Sequence, residues 1–299
     1  MQIIRFKCGD KLNIQEELSL CLGYFDGLHL GHRKLIKMAQ DSNYKSGLLT
    51  FDMKISLSKK SVKHITSLDD KIDILSKLGL DYLFILEFDQ EVKNLTPIEF
   101  IDKIIKSLNA REIIIGEDYT FGKEAKGNYQ TLIENQGNYV VKRIEDLKYD
   151  NNKISTSQII SLIKEGKIKT ANTLLGKYYT ITSKVLNGNK IGRNYEYPTA
   201  NLSLDGYICP KLGVYACKIM INDNIYQGMA NIGTHPTIYE NNVPLLEVNI
   251  FDFNDDIYQQ DISVSLIDFI REEKTFSSID ELYNQLKIDK IKIKEILNK

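Results

Sequence analysis

The chain has 299 residues, with 39 Lys and Arg against 40 Asp and Glu, a formal charge of −1 at pH 7 and 42% hydrophobic residues. That length holds two ordinary domains, each with its own core. Interspersed, nearly balanced charge provides no field for nucleic acid or an anionic membrane, which leaves small molecules as the expected partners. Cys8, Cys21, Cys209 and Cys217 form no CxxC pair, and the sequence shows neither a signal peptide nor an apolar run long enough to span a bilayer. A reducing cytoplasm is expected, with the four thiols as buried or bystander groups.

The first informative stretch is Gly23-Tyr24-Phe25-Asp26-Gly27-Leu28-His29-Leu30-Gly31-His32. It follows the apolar run Leu18 to Leu22 and leads into Arg33 to Ala39, which predicts a strand, a tight turn and a helix beginning near Leu30. His29 and His32 then share one face at the helix's positive end, where unpaired backbone N–H groups suit a phosphate chain. The pattern HxGH, preceded by Gly-x-Phe-Asp-Gly, resembles the signature of the nucleotidylyltransferase superfamily. There ATP or CTP loses pyrophosphate while its nucleotidyl group passes to an acceptor phosphate. A capped helix start with solvated imidazoles, or a metal site, is the alternative reading of these residues.

Further along, Gly47 to Phe51, Tyr82 to Leu86 and Ile113 to Ile115 are short apolar runs of the kind that fill a two-sided parallel sheet. Helices with explicit start signals lie between them. Ser67-x-x-Asp70 precedes Ile72, Leu75 and Leu78 and stops at Gly79; Thr96-Pro97-Ile98-Glu99 is a capping box followed by Ile101, Ile104, Ile105 and Leu108. Alternating strands and helices predict a doubly wound α/β domain over residues 1–175, with the HxGH turn leaving its first strand at a ligand-binding edge.

After Tyr178 the helical spacing gives way to alternation and turn dipeptides: Tyr179 to Leu186 with Asn187-Gly188, Gly213 to Ile221 with Asn222-Asp223, Ile225 to Ile232, Leu245 to Phe251 and Ile262 to Phe269. A small antiparallel β-barrel over residues 176–299 is predicted. Its tail is a helix opened by Ser278-Ile279-Asp280-Glu281, with Leu282, Tyr283 and Leu286 on the face packed on the barrel. Within this half, Gly192 to Asn201 and Gly228 to Thr237 are related stretches. In Pro198-Thr199-Ala200-Asn201 the threonine hydroxyl and asparagine amide point to one side of an extended segment, where both can meet a hard cation and its phosphate oxygens. Satisfying turn backbone is the alternative role for both.

The whole chain resembles the prokaryotic bifunctional riboflavin kinase/FMN adenylyltransferase family, also called FAD synthetase. The resemblance rests on Gly23 to His32, His64-Ile65-Thr66-Ser67 with Lys71, Gly116 to Gly122 with Gly127, and Ile154-Ser155-Thr156-Ser157. It continues through Leu174-Leu175-Gly176, Gly192-Arg193, Pro198 to Asn201, Gly213-Val214-Tyr215-Ala216, Asn231-Ile232-Gly233 with Pro236-Thr237, Glu247-Val248, Asp252-Phe253 and Arg271 with Phe276. It implies two ATP-dependent steps: riboflavin to FMN in the barrel, then FMN to FAD, with release of pyrophosphate, in the α/β module. Glu247 matches the kinase base, Thr199 and Asn201 the Mg2+ and phosphate ligands, Gly192 and Arg193 the ATP loop, and Arg271 a position at the flavin end. Pairing of Arg271 with Glu272 or Glu273 is its alternative role. In the α/β module the resemblance implies catalytic His29 and His32, an ATP face with Gly23, Phe25, Asp26, Gly31, Ser155 and Ser157, and Asp118 on the flavin side. Helix capping for the serines, and turn capping for Asp26 and Asp118, are the competing roles.

Departures from the family pattern concentrate in the first half. A Phe-x-Pro-His-Pro segment is replaced by Phe51-Asp52-Met53-Lys54-Ile55, and the arginine closing a Ser-Ser-Thr-x-Ile-Arg motif falls at Ile160. Isoleucine donates nothing to a phosphate, and one lost charge-assisted bond costs roughly 1.5–3 kcal/mol. Lys123, Lys126 and Lys164 are candidate replacements. In the barrel, Glu196 stands for a glycine, with Lys190 as an offsetting charge, and Asn249 stands for a histidine. Three readings follow: a bifunctional enzyme, a riboflavin kinase with a retired first module, or a flavin- or nucleotide-binding regulator. End-to-end coverage favours the first, Ile160 the second, and the intact Glu247 argues against the third.

Overall fold

A computed structural model of the chain describes residues 1–52, 62–186, 199–234 and 244–298. Asn187-Gly188, Lys190, Gly192, Arg193, Glu196, Pro198, Pro236-Thr237 and Met53-Lys54-Ile55 lie outside the described residues. The chain forms two units, Met1–Val62 with Ser67–Ser155 and Lys63–Thr66 with Thr156–Lys299.

The first unit is built on strands β1 (Gln2–Phe6), β2 (Leu18–Leu22), β3 (Lys45–Asp52), β4 (Tyr82–Glu87), β5 (Ala110–Gly116) and β6 (Val140–Ile144). They form one sheet in the order β1-β4-β3-β2-β5-β6, every neighbouring pair parallel. Successive residues of a strand face opposite sides of the sheet, and the two cores follow that period. Leu20, Leu22, Phe84, Ile113 and Ile115 enter one buried cluster with Phe100, Ile101, Ile105 and Leu132, carried by α4 (Pro97–Lys103), the turn after it and α5 (Tyr129–Glu134). Cys21, Leu48, Leu83, Ile85 and Ile114 enter another with Leu35, Ile36 and Ala39 of α1 (Leu30–Gln40) and Leu75 of α2 (Leu68–Lys77). The doubly wound expectation holds. The strand before HxGH is the second, however, because β1 precedes it at the sheet edge.

The expected start signals act locally. Ser67 accepts from the Asp70 N–H, Thr96 and Glu99 form the capping box, and Gly79 closes the first of these helices with φ +78°. The Thr96 helix is shorter than expected: it ends at Lys103 and tightens into a 3-10 turn over Ile105–Leu108. A short helix, α3 (Gln90–Asn94), precedes it, and β7 (Lys148–Tyr149) pairs with β8 (Asn152–Lys153) in a small hairpin after β6.

In the second unit α6 (Thr156–Lys164) and α7 (Ile168–Leu175) precede a closed barrel of β9 (Tyr179–Leu186), β10 (Ala200–Ser203), β11 (Gly213–Ile221), β12 (Asn224–Thr234), β13 (Pro244–Ile250) and β14 (Asp261–Arg271). By contacts α6 and α7 group with the barrel, with Ser155 and Thr156 on either side of the division. The reason is visible in α7, where Asn172 donates to Leu266 O at 2.9 Å and accepts from Tyr179 N–H at 2.7 Å, tying the helix to β14 and β9. The segment Lys63–Thr66 belongs with the barrel too: His64 N–H donates to Gly206 O at 2.8 Å, and Ile208 N–H to His64 O at 2.9 Å. Asn222 and Asp223 both have positive φ, the geometry of a tight hairpin turn between β11 and β12.

Inside the barrel lie Ile181, Leu202, Cys217, Ile219, Ile232, Leu246, Val248, Val264 and Leu266, all fully buried. One outer face carries Val214, Ala216, Met229 and Ile270, covered by Ile293 and Leu297 of α8 (Ile279–Leu297). Burying such a side chain stabilises by about 1.5–3 kcal/mol, so these two residues hold the helix on that face. No described helix is long and apolar enough to cross a membrane.

Candidate active sites

The parallel sheet changes direction of winding between β2 and β5, and the chain beyond those two strand ends forms the crevice where such sheets bind ligands. The turn after β2 is unusual backbone. Phe25 is left-handed with φ 55°, Gly27 has φ 78° and Leu28 φ 46°. The Phe25 ring folds back so closely that a Cβ on Gly23 would lie 3.0 Å from it. His29 then caps α1, its Nδ1 accepting from the His32 N–H at 3.3 Å. A Cβ on Gly31 would lie 3.1 Å from that imidazole, which explains the glycine of HxGH. The two imidazoles stack with centroids 3.6 Å apart, and Phe25 meets His32 edge-on at 5.0 Å. Capping and the catalytic reading are therefore compatible in His29.

Since Nδ1 of His29 accepts, its proton sits on Nε2, which is left as a donor. Burial first, then the charge of Lys153, lowers His29 from 6.5 to about 4, against an opposing pull from Asp118 and Asp146. Burial, with His29 and Lys71, also holds His32 well below its ordinary value. Both rings are neutral at pH 7. The Nδ1 of His32 is buried and has no hydrogen-bond partner.

One cation at this site is Lys153. The hairpin of β7 and β8 brings its Nζ to 2.7 Å from Asp118 and 2.8 Å from Asp146, and Ile154 O lies against Gly31. Burial lowers the Lys153 value, but its bonds to Asp118 and Asp146 raise it further, so the net shift is upward; the Lys153 bond chiefly lowers that of Asp118. Of the three lysines proposed to replace the arginine at Ile160, Lys126 pairs with Glu124 at 2.7 Å, Lys123 lies in an exposed turn and Lys164 ends α6. Asp26 is buried at the start of the 3-10 turn, and Ser155 is half-buried next to Ile154. Ser157 stands exposed in the first turn of α6, in the second unit.

On the barrel, Glu247 lies opposite Asn201 of β10 and opposite Asn231 of β12. Directly opposed residues share a face, so these three form a row, continued by Val214 opposite Asn231 and Arg271 opposite Val214. Their neighbours Leu202, Leu246, Val248 and Ile232 point inward, which puts the row on the outer face that α8 partly covers. Asn201 Oδ1 is buried and without a hydrogen-bond partner, and Thr199, two residues earlier, is exposed. A desolvated amide oxygen waiting for a partner fits a hard cation or its coordinated water. No group of three or more His, Cys, Asp or Glu among the described residues has metal-holding geometry.

Arg271 is not paired with the side chain of Glu272 or Glu273. Its Nε donates to Asp289 of α8 at 2.9 Å, Nη1 donates to Glu272 O at 3.0 Å, and the guanidinium lies 5.8 Å from the Phe276 ring centre. Gln285 donates to the other Asp289 oxygen at 2.9 Å, so both oxygens of that carboxylate are engaged. The Glu273 carboxylate fills the space a Cβ at Gly233 would need, close to the Asn231 amide. Lys153, Asp146 and Asp289 carry no local motif. Their distant partners are the only signal, and the sequence does not display it.

Residues 11–158 match the family model described as FAD synthetase, and residues 175–297 the one described as riboflavin kinase. The bifunctional riboflavin kinase/FMN adenylyltransferase of Bacillus subtilis (strain 168) is 38% identical over 288 residues, 92% of this chain and 91% of its own. That of Escherichia coli (strain K12) is 30% identical, covering 94% of this chain and 93% of its own. A solved structure from Streptococcus pneumoniae, described as a macrolide-efflux protein, has a TM-score of 0.86 and 33% identity over 96% of this chain and 97% of that one. With both models matched in order, and relatives of this identity aligned along nearly all of their length, the chain belongs to the bifunctional riboflavin kinase/FMN adenylyltransferase family.

Proposed function

We propose that this chain makes FAD from riboflavin in two ATP-dependent steps, one per unit. The observation that carries the reading is the presence of both family domains, in order, on one chain. In the barrel, the ribityl 5′-hydroxyl oxygen of riboflavin attacks the γ-phosphorus of ATP, its proton passes to the Glu247 carboxylate, and ADP leaves. Asn201 Oδ1 and Thr199 would hold Mg2+, which when bound neutralises charge on the phosphates; the unpartnered amide oxygen supports that assignment. Gly192 and Arg193 belong to the ATP loop. Arg271, fixed from behind by Asp289, serves the flavin end.

In the α/β unit an oxygen of the FMN phosphate attacks the α-phosphorus of ATP, and the bond to the β-phosphate breaks to release pyrophosphate. The nucleophile is already an anion, so no side chain need take a proton from it. His29 Nε2–H, His32, Lys153 and the N–H groups opening α1 supply donors and charge for the phosphates, with Gly23, Phe25, Asp26, Gly31 and Ser155 shaping the ATP face and Asp118 the flavin side. Lys153 answers the isoleucine at 160 as a source of positive charge. Four free thiols suit a reducing cytoplasm.

The test is a chromatographic assay with Mg2+ and ATP, supplied in parallel with riboflavin and with FMN. FMN from riboflavin and FAD with pyrophosphate from FMN are expected. FMN formation without any FAD from supplied FMN would reduce the protein to a riboflavin kinase.

A further inference from the structure

Lys71, in the first turn of α2, is only 3% exposed. Its ammonium donates to Tyr24 O at 2.6 Å and to Thr50 Oγ1 at 3.2 Å, and lies 4.6 Å from the Tyr24 ring centre. Thr50 Oγ1 also donates to Tyr24 O, at 2.9 Å. The Tyr24 carbonyl is thus held from two sides, immediately before the left-handed Phe25 whose ring meets His32. Burying an ammonium is costly, and an apolar side chain would fill this space at less cost. The charge has a use at this carbonyl that packing does not supply.

We propose that Lys71 is a positioning residue for adenylyl transfer: by holding the Tyr24 carbonyl it fixes the Phe25 turn, and through the Phe25 ring it fixes the His32 imidazole. The inference rests on the adenylyltransferase reading of this unit. Keeping three residues at positive φ within four positions, Phe25, Gly27 and Leu28, requires surroundings that over-determine the turn, and the ammonium is one such constraint. The charged and titratable groups facing it are Asp26 and the Tyr24 hydroxyl from the turn and His32 from α1, with Asp52 at the end of β3 bearing on Tyr24. Burial brings Lys71 down from 10.5 to about 8, partly countered by Asp26. Its hold on the turn is therefore present below about pH 8 and fades above it.

The experiment compares the full-length protein with Lys71→Met and Lys71→Arg. FAD formation from supplied FMN is followed from about pH 6.5 to about 9.5, and lysine and histidine side chains are followed by NMR over the same range, which brackets the lowered lysine value and stays below the ordinary one. In the native protein kcat should fall on the alkaline side with a midpoint near 8, and one lysine should titrate there and move the His32 ring resonances as it does. Lys71→Met should lower kcat by about tenfold or more while KM for FMN changes little, the loss expected for one charge-assisted bond. Lys71→Arg, which keeps its charge, should retain activity at alkaline pH. A His32 ring indifferent to the lysine titration, or an alkaline limb unchanged in Lys71→Arg, overturns the proposal. Absence of FAD formation in the native protein would instead refute the adenylyltransferase reading, and the coupling of Lys71 to His32 in the NMR titration would still decide the positioning claim. If Lys71→Met does not fold, the native titration and the arginine variant suffice.

Discussion

Replacing Asp289 tests how the barrel's outer face is held together. This carboxylate is 2% exposed, and both its oxygens are occupied, one by Arg271 Nε and one by Gln285 Nε2, each at 2.9 Å. Asp289→Leu strands the guanidinium of Arg271, a side chain only 14% exposed, with the Glu272 carbonyl and the Phe276 ring as its protein partners. Breaking one side of a buried ion pair costs about 3–5 kcal/mol, whereas replacing both sides by apolar groups is often close to neutral. Asp289→Leu and Arg271→Met should each destabilise the barrel by about 3 kcal/mol, and the double variant by clearly less than their sum. The chain has no tryptophan and two units, so the transition is best followed in denaturant through the Ile293 and Met229 methyl resonances, which report the face under α8. Riboflavin KM should rise in both single variants, since Asp289→Leu frees Arg271 from its fixed orientation and Arg271→Met removes it. Strictly additive destabilisation, or a loss below about 1 kcal/mol in Asp289→Leu, would refute the reasoning.

Glu247→Ala is expected to abolish FMN formation while sparing FAD formation from supplied FMN, and joint replacement of His29 and His32 by alanine to do the reverse; the paired assay checks both, and equal loss of both activities in either variant would rule out separate sites. Asn201→Leu should raise the Mg2+ concentration needed for riboflavin phosphorylation by about tenfold, read from a magnesium titration at saturating ATP, because a desolvated ligand oxygen is removed. Folding stability should fall as pH drops from 6.5 towards 4: the unfolded ring of His29 takes a proton at its ordinary value while the folded ring resists until about 4, a difference of up to about 3 kcal/mol. Denaturation midpoints measured across that interval should flatten in His29→Asn.

The features legible in the sequence were those with local causes. Ser67, Thr96 and Ser278 cap helices through bonds to residues three positions on, the runs at β2 and β11 are dominated by apolar residues, and β9 opens on apolar-polar alternation. The edge strands β1 and β6 escaped notice because a half-exposed edge mixes apolar with charged residues, as in Gln2-Ile3-Ile4-Arg5-Phe6. The four-residue β10 is too short for a pattern, although its pairing with β13 brings Asn201 and Glu247, from two separate motifs, opposite each other. Sequence proximity pointed Arg271 at Glu272 and Glu273, whereas α8 delivers Asp289 from 18 residues away. The same limit applies to Lys153: its role depends on a hairpin reaching back to Asp146 and on Asp118 from the end of β5, neither of which composition or spacing announces.

The contrast between the sites follows from the two nucleophiles. In the proposed reaction a ribityl hydroxyl must lose a proton as it attacks, and the half-buried carboxylate of Glu247 opposite the buried, unpartnered amide oxygen of Asn201 suits that step. An FMN phosphate needs no base, and a charged histidine pair stacked at 3.6 Å would repel itself; burial keeps both rings neutral and leaves His29 Nε2–H as a donor. In the proposed reaction positive charge must then come from elsewhere, and Lys153, shared between two aspartates, is a source of it. An incoming phosphate has to compete with Asp118 and Asp146 for that ammonium. The exchange leaves the aspartates less neutralised and so limits how tightly ATP is held before reaction, while the donors of His29 and the α1 start act without giving up a partner. Adenylyl transfer in this chain should accordingly depend more steeply on the imidazoles than on Lys153, and Lys153→Met should weaken ATP binding less than joint replacement of the histidines slows the chemical step.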